Sequence, residues 1–288
     1  MRVEILDTTL RDGEQTQGVS YSPNEKLQIA VMLLRDLKVD RIEVASARVS
    51  PGEQEAVRLI TSWAGQNGLA DRVEVLGFVD GSASVDWIRY AGGEVINLLC
   101  KGSLRHLEKQ LRKSPEEHIR DILNICSMTE SCGMQVNIYL EDWSNGMLSS
   151  PGYVFRMVDA LAGSCIKRIM LPDTLGILNP DQVFHFCSRM TSRYPGVRFD
   201  FHPHNDYDLA VANTFSAVKA EIQGVHTTVN GLGERAGNAP LSSVIALLRD
   251  HLGAETGADE YEITSVIRMV EKFSGIRIPV NKPVIRAN

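Results

Sequence analysis

Residues 197–206, with the sequence VRFDFHPHND, pass from a predicted β-strand directly into a cluster of polar side chains. Successive side chains of a strand point to opposite faces, so His202 and His204 lie on the same face. Neutral imidazole is the commonest nitrogen ligand of divalent transition metals. The pair therefore predicts two ligands of one metal ion, with ordinary core histidines as the alternative, and a third ligand must come from another part of the fold. The other five histidines are predicted to occupy ordinary helix or strand positions, and His226 is the least certain of them.

The same alternation of a short apolar strand with an amphipathic helix recurs eight times along the 288 residues. The predicted strands are 3–9, 41–45, 73–79, 95–99, 135–140, 168–171, 197–202 and 224–230. The predicted helices include 23–37, 53–64, 115–132, 153–162, 180–193 and 209–220. Eight such units in about 250 residues predict an α/β protein with a (β/α)8 TIM barrel.

An open, doubly wound parallel sheet is the structural alternative, but no GxGxxG turn follows the first strand. The alternation stops near residue 257, so residues 1–255 form the predicted barrel domain. Residues 256–288 are predicted to form a short helical extension and the start of a linker subdomain. Within them, 259–273 is expected to be a helix and 279–283 an extended tail.

Composition and charge exclude several classes of protein. The hydrophobic fraction of 43% is enough for a sizeable core, and the net charge of -6 argues against nucleic acid as a partner. No apolar run reaches the length of a membrane span, and no signal peptide is recognisable, so a cytoplasmic protein is expected. The five scattered cysteines contain no CxxC pair, which favours reduced thiols over a disulfide framework or a thiolate zinc site.

Catalytic groups of a barrel lie where the strands end, so the polar residues at those ends are the candidates. Strand two ends near Glu43 and Ser46, and Asp12 follows strand one and is the predicted third metal ligand. Two histidines and one carboxylate with open positions suit a catalytic ion, and zinc, manganese and magnesium all fit these donors. Asp12 as a turn cap before Gly13 is the alternative interpretation. Asn238 could offer a further amide oxygen, although the surrounding residues alone favour a simple turn loop.

Three more side chains at the same rim are candidates for chemistry. Arg11 is placed to clamp a carboxylate or a developing oxyanion, or to form a structural ion pair with Asp7 or Glu43. Glu141 is either a general base or a solvated charge. Thr174 either donates its hydroxyl to a substrate carboxylate or caps a turn.

Three motifs carry a family resemblance. They are DTTLRDGEQ at residues 7–15, HPHND at 202–206 followed by AVAN at 210–213, and NGLGERAGN at 230–238. Together they resemble the metal-dependent acyl-CoA condensing enzymes, which include 2-isopropylmalate, citramalate and homocitrate synthases, with 3-hydroxy-3-methylglutaryl-CoA lyase as a relative. The resemblance extends from Met1 to about Arg277.

The resemblance implies a Claisen-type condensation of acetyl-CoA with a 2-oxo acid at a divalent metal ion, followed by thioester hydrolysis. Asp12, His202 and His204 match the family's metal ligands, and Asn238 matches an occasional further one. Arg11 matches the arginine that stabilises the carbonyl oxygen as it becomes an alkoxide. Glu141 matches a glutamate proposed in catalysis, and Thr174 matches the threonine that holds the substrate carboxylate. Relatives are dimers, so a homodimer is expected.

The choice of 2-oxo acid depends on the volume of the pocket. Leu76, Leu99 and Tyr139 resemble the bulky pocket of citramalate synthase, which selects pyruvate and gives (R)-citramalate; core packing is the alternative for the two leucines. Discrimination of about 1–3 kcal/mol per methylene predicts a preference for pyruvate over larger acids. A role in branched-chain amino-acid biosynthesis follows, for isoleucine or leucine.

Three other functions stay open on the sequence. One is a 2-isopropylmalate synthase that accepts 2-oxoisovalerate, and another is a metal-dependent carbon–carbon lyase or aldolase. Lyase relatives usually carry a cysteine in the glycine-rich loop, and residues 230–238 contain none. The third is a non-catalytic barrel that binds metal and ligand.

The family usually continues past the barrel into a linker subdomain, which supplies a catalytic histidine, and a regulatory domain. The sequence ends at Asn288, and no counterpart of that histidine or of the regulatory domain is recognisable in it. The expectation from this sequence is therefore a metal and 2-oxo acid site without a regulatory domain.

Overall fold

Eight parallel strands close into a barrel in sequence order, with the first strand beside the eighth. The computed structural model describes residues 1–44 and 50–279. The strands are β1 (Glu4–Leu10), β2 (Arg41–Val44), β3 (Val73–Phe78), β4 (Val95–Lys101), β5 (Gln135–Glu141), β6 (Ile166–Asp173), β7 (Phe199–Pro203) and β8 (Gly224–Thr227). The predicted TIM barrel is confirmed.

Helices surround the barrel and cover the outward faces of its strands. They are α1 (Pro23–Val31), α2 (Pro51–Gln66), α3 (Ala83–Tyr90), α4 (Leu104–His106), α5 (Pro115–Ser131), α6 (Trp143–Ser149), α7 (Pro151–Leu161), α8 (Pro180–Arg193), α9 (Ala210–Lys219), α10 (Leu241–Leu252) and α11 (Ile263–Ser274). Within residues 1–44 and 50–279, none of them combines the length and the apolar character that crossing a bilayer requires.

Three helices begin at a proline that follows a reciprocal cap. The side chain of the capping residue accepts a hydrogen bond from the backbone N–H three residues on, and that residue's side chain accepts one in return. The pairs are Ser22 with Glu25, Ser114 with Glu117, and Asn179 with Gln182. These local signals explain why the starts of helices 23–37, 115–132 and 180–193 could be predicted to the residue.

The ends of several elements differ from the prediction. β8 stops at Thr227 rather than at residue 230, because Val229–Gly231 forms a 3-10 turn in which Asn230 has a left-handed φ of 63°. β4 continues to Lys101, two residues further than predicted. The predicted helix 23–37 changes at Met32–Asp36 into a π-helical turn.

The C-terminal prediction is partly observed. Helix α11 begins at Ile263, after a 3-10 turn at Glu260–Glu262, where a helix from residue 259 was predicted. It packs against α1 and the turn after β8. The extended tail beyond residue 279, the last residue of predicted strand 41–45 and Ser46 lie outside the described residues.

A buried network of ion pairs lies at the amino-terminal end of the barrel. We call this network the floor. Arg41 donates to Asp200 at 2.6 Å and to Glu74 at 2.7 Å, while Arg168 donates to Asp200 at 3.0 Å and to Glu4 at 2.6 Å. Burial alone would raise the pKa of Asp200. The two arginines outweigh this effect and hold the pKa well below the usual range. Asp200 is therefore a buried carboxylate of the floor that is ionised at neutral pH.

Substitution of Gly224 by alanine is expected to destabilise the barrel by about 1–3 kcal/mol, the range for overpacking a filled core. A Cβ at this position would lie 2.2 Å from Oδ1 of Asp200. That carboxylate cannot move aside, because both of its oxygens are held by arginines. Urea unfolding measures the loss.

The matched control is Gly65→Ala on helix α2, where an added Cβ meets nothing within 4 Å. This control should be neutral or slightly stabilising. A Gly224→Ala protein as stable as the wild type would show that the Asp200 carboxylate is free to shift.

Candidate active site

Strand alternation builds the site in two layers at the carboxyl end of the barrel. On each of five strands a residue and its second neighbour share the inward face. The pairs are Leu76 with Phe78, Leu99 with Lys101, Tyr139 with Glu141, Pro172 with Thr174, and His202 with His204. The register places Leu99 beside Tyr139 and Lys101 beside Glu141. The lower layer is apolar and aromatic, whereas every member of the upper layer except Phe78 is polar.

A cavity of about 220 Å³ opens above these layers. Nine of the ten predicted site residues line it. They are Arg11, Asp12, Leu76, Leu99, Tyr139, Glu141, Thr174, His202 and His204. Sequence reasoning had not assigned a role to four further lining residues. They are Gln15, Phe78, Pro172 and Glu234.

A larger cavity of about 330 Å³ lies at the opposite end, among the ion-paired side chains of the floor. Barrel enzymes place their chemistry at the carboxyl ends of the strands. The smaller cavity is for that reason the candidate active site.

Asp12, His202 and His204 form a compact, buried cluster at one side of this cavity. One potential ligand atom from each lies within 4.8 Å of the others. The Nε2 atoms of His202 and His204 lie 3.1 and 3.7 Å from Oδ2 of Asp12. The backbone N–H of Asp12 donates to the carbonyl of Thr8 at 2.8 Å, which turns the chain after β1 toward the cluster.

The protonation states of these three residues suit metal ligation. Burial is the largest influence on both histidines and lowers their pKa, to about 4 for His204. Burial alone would raise the pKa of Asp12, but Arg11 and the two histidines outweigh it and hold the pKa well below the usual range. The site thus presents one carboxylate and two neutral imidazoles at neutral pH.

Two oxygen atoms at this site lack a hydrogen-bond partner within residues 1–44 and 50–279. They are the buried Oδ1 atoms of Asp12 and Asn238. The backbone of Asn238 forms an isolated β-bridge with that of His204. Its side-chain Nδ2 donates to the carbonyl of Leu232 at 3.1 Å. Unsatisfied buried acceptors are costly. A divalent cation held by Asp12 and the two imidazoles would satisfy Oδ1 of Asp12, so these three residues fit a metal ion. Asn238, the tenth predicted site residue, is not among the residues that line the cavity.

Arg11 connects this cluster to the wall of the barrel. Its guanidinium donates to Oδ2 of Asp12 at 2.9 Å, to Glu43 at 2.5 Å, and to the Tyr139 hydroxyl at 3.4 Å. The structural ion pair therefore forms with Glu43 and Asp12, and not with Asp7, which accepts from Thr9 and Thr227 instead. A guanidinium has five N–H groups. Three of those of Arg11 donate to partners among the described residues, which leaves two for a substrate oxygen.

Glu141 and Thr174 also line the cavity, at the ends of β5 and β6. The ammonium of Lys101 pairs with Oε2 of Glu141. The hydroxyl of Thr174 accepts from the backbone N–H of Asp142 at 2.9 Å, which leaves its proton available to a ligand. Lys101 was missed because the predicted strand ended at Leu99, although its position at a strand end was the signal that could have identified it.

The glycine-rich loop after β8 closes the side of the site. Arg235 donates to both carboxylate oxygens of Asp206, at 2.8 and 3.0 Å, and to the carbonyl of Thr174 at 2.7 Å. Gly237 has a φ of +83°, and a Cβ there would lie 2.0 Å from the carbonyl oxygen of Gly231. Only glycine fits this close approach. The loop is thus tied to those that follow β6 and β7.

Asp7, at 1% exposure, provides a test of the electrostatics below the site. Burial raises its pKa from 3.8 to about 6, against hydrogen bonds from Thr9 and Thr227. Between about pH 4 and 6 the folded state keeps a proton that the unfolded chain has lost. The free energy of unfolding therefore falls as the pH rises through this window.

An Asp7→Asn variant should lack this dependence. Relative to the wild type, its free energy of unfolding should rise by about 2.4 kcal/mol between pH 4 and pH 7, as the two pKa values of Asp7 imply. Parallel urea titrations of the two proteins at each pH measure it, and other titrating groups cancel in the difference. If the difference in the free energy of unfolding between the two proteins stayed constant with pH, the pKa of Asp7 would not be raised in the folded protein.

Comparison with known proteins places this geometry in a family context. A family profile described as HMGL-like matches residues 2–270. The chain is 35% identical over 293 residues to the 2-isopropylmalate synthase of Pyrococcus furiosus. It is 34% identical over 288 residues to the homocitrate synthase of Sulfolobus acidocaldarius, and 34% over 289 residues to the (R)-citramalate synthase CimA of Methanocaldococcus jannaschii. Overall similarity of this degree does not distinguish between the three.

These alignments cover 100%, 99% and 100% of this chain, and 58%, 59% and 57% of the three relatives. The chain thus spans a little more than half of their length.

Solved structures support the fold independently. An HMG-CoA lyase of Bacillus subtilis is similar with a TM-score of 0.77 and 21% identity, over 97% of this chain and 96% of that one. A pyruvate carboxylase of Rhizobium etli is similar with a TM-score of 0.72 and 17% identity, over 94% of this chain and 28% of that one. Because the sequences are so different, these similarities concern the barrel alone.

Proposed function

Because this chain belongs to the HMGL-like family, we propose that it condenses acetyl-CoA with a 2-oxo acid, and that the acid is pyruvate. One observation carries the proposal: a carboxylate–histidine cluster, an arginine, a glutamate and a threonine face a single small cavity. The products would be (R)-citramalate and CoA. Three named synthases with about 35% identity support the reaction class.

Asp12, His202 and His204 would hold the divalent ion, with Asn238 as a further oxygen donor. When bound, the ion supplies Lewis acidity and a template for the 2-oxo acid. The neutral imidazoles and the ionised carboxylate leave it a net positive charge, which an anionic acid would partly neutralise. The buried, unpartnered Oδ1 atoms of Asp12 and Asn238 support this assignment.

Arg11 and Thr174 would bind the 2-oxo acid from two sides. The free N–H groups of Arg11 would donate hydrogen bonds to the ketone oxygen. These hydrogen bonds would strengthen as negative charge develops on that oxygen. The Thr174 hydroxyl, oriented by the N–H of Asp142, would donate to the carboxylate. Both groups are fixed by other contacts before the acid arrives, so little rotamer entropy is lost on binding.

Glu141 would remove a proton from the methyl group of acetyl-CoA. The resulting carbon nucleophile forms a bond to the ketone carbon, and the ketone oxygen takes up a proton as the hydroxyl of the product. Water then cleaves the thioester C–S bond, releasing the CoA thiol and a carboxylate. Lys101 pairs with Glu141 and holds it at the end of β5.

The proposal that the acid is pyruvate is supported by the bulky side chains that line the cavity. Leu76 and Leu99 pack against the buried ring of Tyr139, which is 2% exposed. The hydroxyl of Tyr139 is held by Arg11 and Glu43, so its ring is not free to swing aside. We expect these bulky side chains to leave room for the methyl group of pyruvate and to disfavour an isopropyl group.

The test is release of free thiol from acetyl-CoA with pyruvate, 2-oxobutyrate and 2-oxoisovalerate. The expected kcat/KM is highest for pyruvate and falls by about 10- to 200-fold per methylene. Calorimetry of pyruvate with the Mn²⁺-loaded protein measures the same site without turnover. A preference for 2-oxoisovalerate would mean that this acid, and not pyruvate, is the acceptor. If none of the three acids bound in a metal-dependent way, the proposal would be contradicted.

A further inference from the structure

We propose that His226 is a positioning residue for metal binding, because its Nδ1 accepts the Nδ1–H of His202 and so turns the Nε2 lone pair of His202 toward the ion. The inference rests on the metal site of the proposed function. Sequence reasoning had left His226 as an ordinary strand position. It lies on β8, beside β7, and is 1% exposed.

The contacts of His226 join the candidate metal ligand to the floor of the barrel. Its Nδ1 lies 3.2 Å from Nδ1 of His202, and its Nε2 lies 3.3 Å from Oδ2 of Asp200. The other nitrogen of His202, Nε2, lies 3.1 Å from Asp12. The His202 ring therefore has one nitrogen in the metal cluster and the other against His226.

The proton positions follow from the far end of this chain. Arg41 and Arg168 hold Asp200 ionised, so its oxygens only accept hydrogen bonds. Nε2 of His226 must then carry a proton. A neutral imidazole has one N–H, so Nδ1 of His226 is a bare acceptor, and it faces the nitrogen of His202 that must be protonated when Nε2 binds a metal.

Tyr139 competes for the same acceptor, since its hydroxyl lies 3.0 Å from Nδ1 of His226. The proton of this hydroxyl can instead be donated to a charged acceptor, because Oε2 of Glu43 lies 3.3 Å from the hydroxyl oxygen. A hydrogen bond to an ionised carboxylate is roughly twice as strong as one to a neutral group. The Tyr139 proton therefore goes to Glu43, which leaves Nδ1 of His226 for His202.

The placement of Asp200 is itself built into the fold. Its carboxylate occupies the space that a side chain on residue 224 would fill, and two arginines of the floor hold both of its oxygens. The orientation of His226 is thus fixed from below, two residues along β8 from Gly224. Outer partners of this kind typically change metal affinity by 10- to 100-fold.

Two amide variants separate positioning from simple packing. In His226→Asn the side-chain oxygen can stand near the former Nδ1 and accept the same N–H. In His226→Gln the amide nitrogen stands near the former Nε2 and keeps the contact with Asp200, but the Nδ1 acceptor is lost. Both variants keep a polar side chain in the same place, so each controls for the other.

The measurement is calorimetric titration of each metal-free protein with Mn²⁺ alone, together with its melting temperature. We expect His226→Gln to weaken Mn²⁺ binding by 10- to 100-fold, and His226→Asn to stay within a few-fold of the wild type. With Zn²⁺ bound and histidine ¹⁵N-labelled, the slowly exchanging Nδ1–H resonance of His202 should persist in His226→Asn and be lost in His226→Gln.

Equal Mn²⁺ affinities for His226→Gln and the wild type would overturn the inference and leave the metal site intact. So would equal losses in the two variants, since packing alone would then explain them. A wild-type protein that binds no Mn²⁺ would overturn this inference together with the proposed function. Melting temperatures of the metal-free variants that differ from each other by no more than a few degrees would support the positioning role.

Discussion

Replacement of Asp12 by alanine is expected to abolish metal-dependent binding of pyruvate and to weaken Mn²⁺ binding by more than about 100-fold, beyond the loss typical of an outer-shell partner. Asp12 supplies the only carboxylate of the cluster, and both histidines approach its Oδ2. Without it, two neutral imidazoles and an amide oxygen remain. Calorimetry with Mn²⁺, and then with pyruvate, measures both effects.

The matched control is Glu14→Gln, which removes an acid two residues away. Glu14 pairs with Lys26 and accepts from the backbone N–H of Tyr21, and it does not line the cavity. This variant should bind Mn²⁺ and pyruvate as the wild type does. If Asp12→Ala did so as well, Asp12 would not be a metal ligand. The alternative role as a turn cap is not observed, because the Asp12 side chain makes no capping hydrogen bond.

The second large effect is expected at Arg11. Arg11→Gln should lower kcat by about 10²- to 10³-fold, as does the loss of one group that stabilises a developing oxyanion. It should also destabilise the fold by about 3–5 kcal/mol, because Glu43 and Asp12 would be left as buried carboxylates without their cation.

The double variant Arg11→Gln/Glu43→Gln separates these effects. Removing the second buried charge should restore part of the lost stability, whereas kcat should stay low. Thiol release and urea unfolding on the same preparations provide the two readouts. Recovery of kcat together with stability would assign Arg11 a structural role only.

Much of the site was predictable because it depends on short-range rules. The alternation of strand side chains placed His202 beside His204, and the rim rule for barrels brought Asp12 and Glu141 to the same end. Each of these inferences needed only the identity of a strand and the point where it ends. The family resemblance predicted the same residues, and the HMGL-like profile confirms that family.

What was missed depends on element ends and on contacts across the barrel. The predicted fourth strand stopped at Leu99, so Lys101 was left outside the rim although its ammonium meets Glu141. His226 was treated as an ordinary position, because nothing in the local sequence reports its contact with Asp200 on the neighbouring strand. Ion pairs between strands that are distant in sequence, such as Arg41 with Asp200, leave no periodic signal.

The account depends on a divalent ion held jointly by the loop after β1 and the end of β7. The most direct measurement is anomalous X-ray diffraction, at the manganese edge, from crystals grown with Mn²⁺ and pyruvate. We predict one strong anomalous peak bounded by Asp12, His202 and His204, with pyruvate between it and Arg11 and Thr174. A fully occupied manganese peak elsewhere, with this cluster empty under saturating Mn²⁺, would contradict the account.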